Sequence, residues 1–334
     1  MVTRKGTVLL MAKPFFPWMG NKEKLVPYIH QLIPPHVKQF TEVFGGSGAV
    51  ILGLQPKKGR LDIYNDLNDD LFNVFCCVKE KSFSLAKELK FLPVHGRTPF
   101  AFYRDMAAHE PDFYRHIEEE KRVVAESTCF TEEEIRELLT ILDGNAKFFD
   151  VRRAAAFLFT TYGSFSGTGN SVGIKTVDPQ AIVDKLPQVS RRLDSVFLEH
   201  QDALVLIPKE DRPDGIIYAD PPYMLTEKVY DVRFLPEHHI VLHDRASSCK
   251  GYVIISYDYD DRIIDLYKDD FFIISLKRTN PLSQTEGSTF RELIITNYDP
   301  SPYLNKQLDI FGQATEAMWE PVILHRPRRI LKAD

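Results

Sequence analysis

The chain of 334 residues has few cysteines, no long apolar run and no excess of positive charge. Its four cysteines include no C-x-x-C pair, so neither a disulfide framework nor a zinc site is indicated. No apolar run approaches the ~18 residues of a membrane span, and the N-terminus lacks the pattern of a signal peptide. We therefore expect a cytoplasmic protein with no membrane partner and no bound metal.

The formal net charge of −5 counts against a large surface for polyanions, because nucleic-acid affinity rests mainly on lysine and arginine. No basic stripe is visible along the chain. The segment at 325–329 is locally basic, and we interpret it as a solvated tail, with contact to backbone phosphates as the alternative. Hydrophobic residues make up 44% of the chain, which is typical of a globular protein.

The most informative segment is Asp220-Pro221-Pro222-Tyr223, which follows an apolar run at 215–219 that predicts a buried strand. Prolines cannot donate ladder hydrogen bonds, so the strand must end there. The result is a stiff loop with a carboxylate, backbone carbonyls and an aromatic face. This set suits a flat heterocycle with an exocyclic amine. A strand-ending turn with a surface tyrosine is the alternative for this motif taken alone.

A glycine-rich turn lies between a predicted strand and a predicted helix. The turn consists of Phe44, Gly45, Gly46, Ser47 and Gly48. Glycines let a backbone turn tightly and approach a ligand closely. A second predicted strand follows and ends at Asp66, where an acid can bind a ribose hydroxyl pair. The turn and the acid together predict a site for a nucleoside-bearing cofactor.

The N-terminal segment at 13–22 contains Trp18, Gly20 and Lys22, which could line a cofactor pocket. An ordinary loop that packs its aromatic residues on the core is the alternative for this segment taken alone.

These segments, in this order, resemble the Dam-like family of DNA adenine-N6 methyltransferases. The matching positions are Lys13-Pro14-Phe15, Trp18, Gly20, Lys22, 44–48, Asn65-Asp66-Leu67-Asn68 and 220–223. The resemblance covers the first ~80 residues and about 195–298. It implies an S-adenosylmethionine cofactor, double-stranded DNA as the partner, and a target adenine flipped into the pocket of Asp220 to Tyr223.

The resemblance also implies roles for single residues. Gly45 to Gly48 would wrap the methionine end of the cofactor and Asp66 would hold its ribose. Trp18, Gly20, Lys22 and Phe44 would border the same pocket. Asp202 matches an acid near the adenine ring of the cofactor, although a helix N-cap explains Asp202 equally well.

Apolar runs predict strands at 38–43, 60–65, 195–199, 215–219, 251–257, 271–277 and 291–297. Helical patterns between the earlier runs predict an α/β fold with a mostly parallel, doubly wound sheet. The last two runs predict an antiparallel pair, so that seven strands with an antiparallel last strand match the fold of S-adenosylmethionine-dependent methyltransferases. We assign 1–80 and 176–334 to the catalytic domain.

Residues 81–175 predict a helical insert, which the resemblance makes the target-recognition region. Thr131 and Glu134 form a predicted capping box in it, and a Gly/Ser-rich loop at 162–173 ends it. Candidate DNA contacts are Arg97, Arg104, Arg152 and Arg153, with surface ion pairs as the alternative for each.

Three other functions compete with adenine methylation. They are methylation of another amine (cytosine N4, RNA adenine or a protein amide), a nicotinamide-dependent oxidoreductase, and a catalytically silent DNA-binding regulator. The oxidoreductase leaves Asp220 to Tyr223 without a role and lacks a clear G-x-G-x-x-G. We expect a monomer encoded by a bacterium or phage, and a cognate restriction nuclease is a candidate partner.

Overall fold

The computed structural model describes residues 11–18, 20, 22–91, 104, 110–147, 149–164, 178–223, 234–279, 289–304 and 320–327. The chain divides into two compact units. Unit 1 comprises Met1–Asn21 and Asn68–His200, and unit 2 comprises Lys22–Leu67 and Gln201–Asp334.

The fold is mixed α/β with one sheet of eight strands in the order β3-β2-β1-β4-β5-β7-β6-β8. The strands are β1 (Gln39–Glu42), β2 (Leu61–Asn65), β3 (Val196–Glu199), β4 (Gly215–Ala219), β5 (Tyr252–Asp258), β6 (Phe272–Thr279), β7 (Thr289–Thr296) and β8 (Glu320–His325). The helices of the described residues are α1 (Val26–Leu32), α2 (Ala49–Gly53), α3 (Asp69–Glu80), α4 (Ser82–Phe91), α5 (Glu110–Ala125), α6 (Glu132–Lys147), α7 (Val151–Gly163), α8 (Pro179–Val183), α9 (Leu186–Leu193), α10 (Ala203–Glu210), α11 (Pro236–Ser248), α12 (Asp261–Tyr267) and α13 (Ser301–Leu304).

In unit 2, β1 pairs in parallel with β2 and β4, and β4 pairs in parallel with β5. These strands consist mainly of buried residues, as expected for parallel strands covered on both faces. Strand β7 pairs antiparallel with β5 and β6, which confirms the predicted antiparallel pair. The carboxyl ends of β1, β2, β4 and β5 therefore lie at one edge of the sheet.

The seven-strand prediction was wrong, because β8 adds an eighth strand antiparallel to β6. Its sequence has Pro321 directly before a run of only three aliphatic residues, 322–324, which hides the strand pattern. Proline is tolerated there because β8 lies at the edge of the sheet. The interpretation of 325–329 as a solvated tail was therefore wrong for His325, which is the last residue of β8. Arg326 is 60% exposed and lies next to Asp299.

Unit 1 is mostly helical. Thr131 and Glu134 form the predicted capping box before α6: the Thr131 backbone N–H donates to the Glu134 carboxylate and the Glu134 N–H donates to the Thr131 hydroxyl. Cys76 and Cys77 are buried on α3, and burial raises the pKa of each thiol to about 12. Neither thiol is reactive at neutral pH.

Within the described ranges, no helix is long and apolar enough to cross a membrane. The same ranges contain no group of three or more His, Cys, Asp or Glu residues arranged to hold a metal ion.

Candidate active site

The glycine turn after β1 has the backbone geometry that its sequence predicts. Gly46 and Gly48 have φ angles of 49° and 66°, in the left-handed region that favours glycine. A Cβ atom on Gly45 would lie 2.2 Å from the ring of Tyr64, so only glycine fits there. The Tyr64 hydroxyl donates a hydrogen bond to the Gly46 carbonyl at 2.8 Å. Ser47 is buried, and Phe44 contacts the ring of Phe234 edge-on.

Asp66 follows β2 and contacts the glycine turn directly. Its Oδ2 accepts a hydrogen bond from the Gly46 backbone N–H at 2.7 Å. The buried Asn65 amide donates to the carbonyl oxygens of Val43 and Gln201. Asn65 thus ties the ends of β1 and β2 to the segment that begins α10, and places Gly45 to Gly48 next to Asp66.

Asp202 is the N-cap of α10, since its side chain accepts a hydrogen bond from the Leu204 N–H at 2.8 Å. The capping hydrogen bond is a structural reason for an aspartate at position 202. Its suggested place near the adenine ring of a cofactor stays a prediction.

Asp220 lies at the carboxyl end of β4 and pairs with a buried lysine. Its Oδ2 is 3.0 Å from the Nζ of Lys22, whose side chain is only 5% exposed. The Asp220 Oδ1 accepts hydrogen bonds from the Ser256 hydroxyl at 2.9 Å and the Tyr223 hydroxyl at 3.1 Å. The hydroxyls of Ser256 and Tyr218 lie 2.8 Å apart. Asp220 is therefore held in one orientation by three side chains.

Tyr223 lies between two acids. Its hydroxyl is 3.1 Å from Asp220 Oδ1 and 3.5 Å from the Oε2 of Glu292 on β7. The Nζ of Lys22 lies over its ring, 4.8 Å from the ring centre. Burial raises the pKa of Tyr223 well above its ordinary value, and Asp220 and Glu292 add to the rise, so the phenol keeps its proton.

Asp258 ends β5 and pairs in register with Glu292 on β7. Burial raises the pKa of Asp258, Lys22 opposes the rise and Asp220 adds to it. Burial alone would lower the pKa of Lys22. The charges of Asp220, Glu292 and Asp258 outweigh burial and raise that pKa, so Lys22 carries its charge throughout the physiological range.

The predicted site residues fall into distinct groups. The structure brings Lys22 together with Asp220 and Tyr223, and it brings the glycine turn together with Asp66. Trp18 belongs to unit 1, where it contacts the rings of Phe16 and Phe157 at 6.1 Å each. Gly20 is exposed with a φ angle of 73°. Pro221 is buried and Pro222 half-buried.

Sequence reasoning missed Ser256, Asp258 and Glu292. One signal was available for Glu292, because it is a lone acid before the apolar residues Leu293, Ile294 and Ile295. Ser256 and Asp258 stand near the end of a predicted strand parallel to the one before Asp220. That placement at the common carboxyl edge could have identified them.

The predicted DNA contacts in the insert have different surroundings. Arg153 is buried and lies 3.4 Å from Asp70, so an ion pair accounts for it. Arg152 is 83% exposed and lies 3.7 Å from Glu88. Arg104 is exposed. Arg97 and the loop positions 165–173 lie outside the described residues, and target recognition by the insert stays a prediction.

Comparison with known proteins identifies the family. The family model for D12 class N6 adenine-specific DNA methyltransferases matches residues 18–281. The Type II methyltransferase M1.LlaDCHI of Lactococcus lactis subsp. cremoris is 25% identical over 309 residues, which cover 86% of this chain and 95% of that protein. The Type II methyltransferase M.MjaIII of Methanocaldococcus jannaschii is 25% identical over 231 residues, 63% of this chain and 69% of that protein.

A solved structure, protein LPL1258 from Legionella pneumophila str. Philadelphia 1, aligns with a TM-score of 0.22 at 18% identity. The alignment covers 36% of this chain and 46% of that one, and a likeness this weak carries no argument.

The matched family model spans most of the chain, so the protein belongs to the D12 class of N6 adenine-specific DNA methyltransferases. It is an enzyme that methylates adenine in DNA with S-adenosylmethionine as the methyl donor. The family and its relatives support adenine methylation in DNA over the oxidoreductase, the silent regulator and the other amine substrates.

The residues at the carboxyl edge of the sheet have the chemistry that S-adenosylmethionine requires. The glycine turn lets the backbone come close to a ligand, because Gly46 and Gly48 have positive φ angles and no side chains. The Asp66 carboxylate stands beside it at the end of β2, the place from which an acid binds ribose hydroxyls.

Proposed function

We propose that the chain binds the target adenine, flipped out of double-stranded DNA, against Asp220, Pro221, Pro222 and Tyr223. The observation that carries the proposal is the charge and orientation of Asp220, which Lys22, Ser256 and Tyr223 hold at the edge of the sheet. A carboxylate fixed in this way can accept a hydrogen bond from an exocyclic amine. Because N6 is out of reach in a stacked duplex, the base must leave the helix first.

The hydrogen bonds of Asp220 indicate which oxygen serves the substrate. Each carboxylate oxygen has two lone-pair positions. Oδ1 accepts from both Ser256 and Tyr223, whereas Lys22 is the partner of Oδ2. The second lone pair of Oδ2 is therefore the position for one N6 hydrogen of the adenine, and the Pro221 carbonyl, next along the chain, is the acceptor for the other.

Tyr223 supplies the stacking surface. The Nζ of Lys22 lies 4.8 Å from the centre of its ring and the Tyr257 ring centre lies 6.0 Å away, and the base would stack on the part of the ring that faces the substrate. Base–aromatic stacking contributes about 1–3 kcal/mol per base. The hydrogen bond to Asp220 fixes the ring plane relative to the carboxylate, and one residue thereby aligns the base with its acceptor.

The amine of adenine is a weak nucleophile because its lone pair is delocalised into the ring. Hydrogen bonds accepted by Asp220 and the Pro221 carbonyl favour a pyramidal nitrogen with a localised lone pair. When bound, S-adenosylmethionine supplies a methyl group on a sulfonium, which is a good leaving group. The protein's own contribution is alignment, and well-oriented reactants can gain roughly 7–11 kcal/mol.

The cofactor-binding residues we propose are the glycine turn, Asp66 and Asp202. The border of this cofactor site would consist of Trp18, Gly20, Lys22 and Phe44. We propose further that the enzyme is the monomeric modification component of a restriction–modification system with a cognate restriction nuclease. The Type II relatives from Lactococcus and Methanocaldococcus support this role.

The substitution Asp220→Asn tests the proposal, since the amide keeps the volume of the side chain but loses its charge. We expect transfer of tritium from labelled S-adenosylmethionine to DNA to fall about 100-fold or more, the scale seen when a preorganised electrostatic contact is lost. Calorimetric affinity for S-adenosylmethionine should change little.

The matched control is Asp214→Asn, an exposed acid paired with Lys38 just before β4, at the opposite edge of the sheet. It should behave as wild type. If Asp220→Asn transferred methyl groups at a third of the wild-type rate or faster, Asp220 would not bind the amine. Long-read sequencing of host DNA identifies the methylated site.

A further inference from the structure

Glu292 is an acid of the candidate site to which the proposed function gives no role. It lies on β7, opposite Asp258 on β5 and Leu276 on β6. Its Oε2 is 3.5 Å from the Tyr223 hydroxyl, at the outer limit of a hydrogen bond. A half-buried acid so close to the stacking residue requires an explanation.

The charges around Lys22 do not balance if every acid is ionised. Three carboxyl groups, those of Asp220, Asp258 and Glu292, act on one buried ammonium. Like charges that share a desolvated site disfavour each other's ionisation. Asp220 has the strongest support for a negative charge, with Lys22 at 3.0 Å and two hydroxyl donors. Burial raises the pKa of Asp258 as well, but Asp258 is more exposed to solvent than Glu292, which is half-buried. Glu292 is therefore the acid that takes up the proton.

The position of the Tyr223 hydroxyl agrees with this assignment. It lies 0.4 Å nearer to Asp220 than to Glu292, at 3.1 against 3.5 Å. A phenol donates preferentially to a charged acceptor, because charge-assisted hydrogen bonds are roughly twice as strong as neutral ones. The geometry is the one expected when Asp220 is anionic and Glu292 is neutral.

We propose that Glu292 is a positioning residue for methyl transfer that, as a neutral acid, leaves the Tyr223 hydroxyl bonded to Asp220. The proposal rests on the proposed function of Asp220 and Tyr223. Ionised Glu292 would compete for the hydroxyl, turn the stacking ring away from Asp220 and remove one of the two donors to Oδ1. Glu292 thus acts through Tyr223 and does not touch the substrate.

Titration of Glu292 gives the proposal a measurable consequence. Burial raises the pKa of Glu292 to about 8; Lys22 opposes the rise, whereas Asp220 and Asp258 add to it. The groups that face it are Lys22 before α1, Asp220 and Tyr223 after β4, and Asp258 on β5. Below about pH 8 the acid is neutral and the Tyr223 hydroxyl stays on Asp220. Above that pH the arrangement is lost.

The experiment measures the pH profile of single-turnover methylation. Enzyme in excess is mixed with plasmid DNA from a host without adenine methylation and with tritiated S-adenosylmethionine between pH 6.5 and 9.5. If the ionised form is inactive, the wild-type rate at pH 9 should be about a tenth of that at pH 7. Glu292→Gln cannot ionise, so its profile should lose this falling limb.

Two further variants make the result specific. Asp258→Asn removes a charge that raises the pKa of Glu292, so the limb should move to lower pH with Glu292 itself intact. Asp265→Asn, an exposed acid on α12 paired with Lys268, should keep the wild-type profile.

A falling limb that persists in Glu292→Gln would overturn the proposal, as would a flat wild-type profile. If Glu292→Gln fails to fold, an unmoved limb in Asp258→Asn overturns it as well. Failure of the proposed function appears separately, as full methyl transfer by Asp220→Asn at every pH.

Discussion

Replacing Lys22 with methionine tests the electrostatic basis of the site. Methionine keeps an unbranched apolar chain in the position of the lysine stem and removes only the ammonium. Lys22 is 5% exposed and Asp220 17%, so the variant leaves a carboxylate largely buried without its counter-ion. Glu292 and Asp258 lose the same compensating charge.

The expected cost follows from this burial. Removing one partner of a buried ion pair destabilises a protein by about 3–5 kcal/mol. Because Asp220 is not fully buried, we expect the lower value, about 3 kcal/mol at pH 7.5. At roughly 2–4 °C per kcal/mol for a domain of 150–250 residues, the Tm should fall by roughly 6–12 °C.

The pH dependence has a definite sign. The raised pKa of Lys22 means that the pair contributes fully below the ordinary lysine value and is lost only as the pH rises through the folded-state pKa. In Lys22→Met the uncompensated carboxyl groups bind protons as the pH falls, so the loss of stability should shrink between pH 7.5 and pH 5.

Calorimetric melting of four proteins makes the test: wild type, Lys22→Met, Asp220→Asn and the double variant. The double variant should lose less stability than the two single losses together, by a coupling energy of about 2 kcal/mol. The control Lys38→Met breaks an ion pair whose lysine is 71% exposed, and should cost less than about 1 kcal/mol. Equal losses from Lys22→Met and Lys38→Met, or additive losses in the double variant, would refute the reasoning.

Two other predictions address cofactor binding and the core. Asp66→Ala removes a charged acceptor from the glycine turn and should weaken S-adenosylmethionine binding by about 1.5–3 kcal/mol, measured by titration calorimetry, with unchanged affinity as the contrary result. His239 is fully buried, and burial lowers its pKa to about 4. The unfolded state then binds more protons than the folded state between pH 6.5 and 4. Lowering the pH through this range should therefore reduce the free energy of unfolding by up to about 3 kcal/mol. Urea midpoints measured against pH should lose this pH dependence in His239→Gln. They should keep it in Tyr257→Phe, which removes the hydroxyl that pairs with His239. An equal pH dependence in His239→Gln and wild type would refute the prediction.

The strands of the central sheet were predictable because their residues are apolar on both faces. Runs such as 215–219 and 251–257 appear in the structure within one residue at each end. The antiparallel pair β6 and β7 was also predictable from its Ile-rich runs. Strand β8 was not, since an edge strand with a proline and exposed Val322 and Leu324 lacks the pattern of a buried strand.

The motif-bearing part of the site was predictable for a related reason. Asp66 and Asp220 stand where their strands end, and parallel strands bring those ends to one edge. The pairing of Lys22 with Asp220 was not predictable, because the two residues are far apart in sequence and Lys22 lies in a loop before α1. Glu292 approaches Tyr223 because β7 runs antiparallel beside β5. The apolar pattern of β7 predicts a strand but not which residues of β5 lie opposite it.

An excess of carboxyl groups beside a site for DNA is consistent with the chemistry of the reaction. The flipped base is neutral, and the group to be activated is a hydrogen-bond donor, so an acceptor is needed where it binds. A lone carboxylate buried there would be driven to its neutral form and would lose its strength as an acceptor. The Lys22 ammonium lies 3.0 Å from Asp220 and is itself buried, so it serves as a counter-ion inside the site and not as a phosphate contact. The negative net charge of the chain and its activity on a polyanion are therefore compatible: the site binds an amine, and phosphates need contact only outside it.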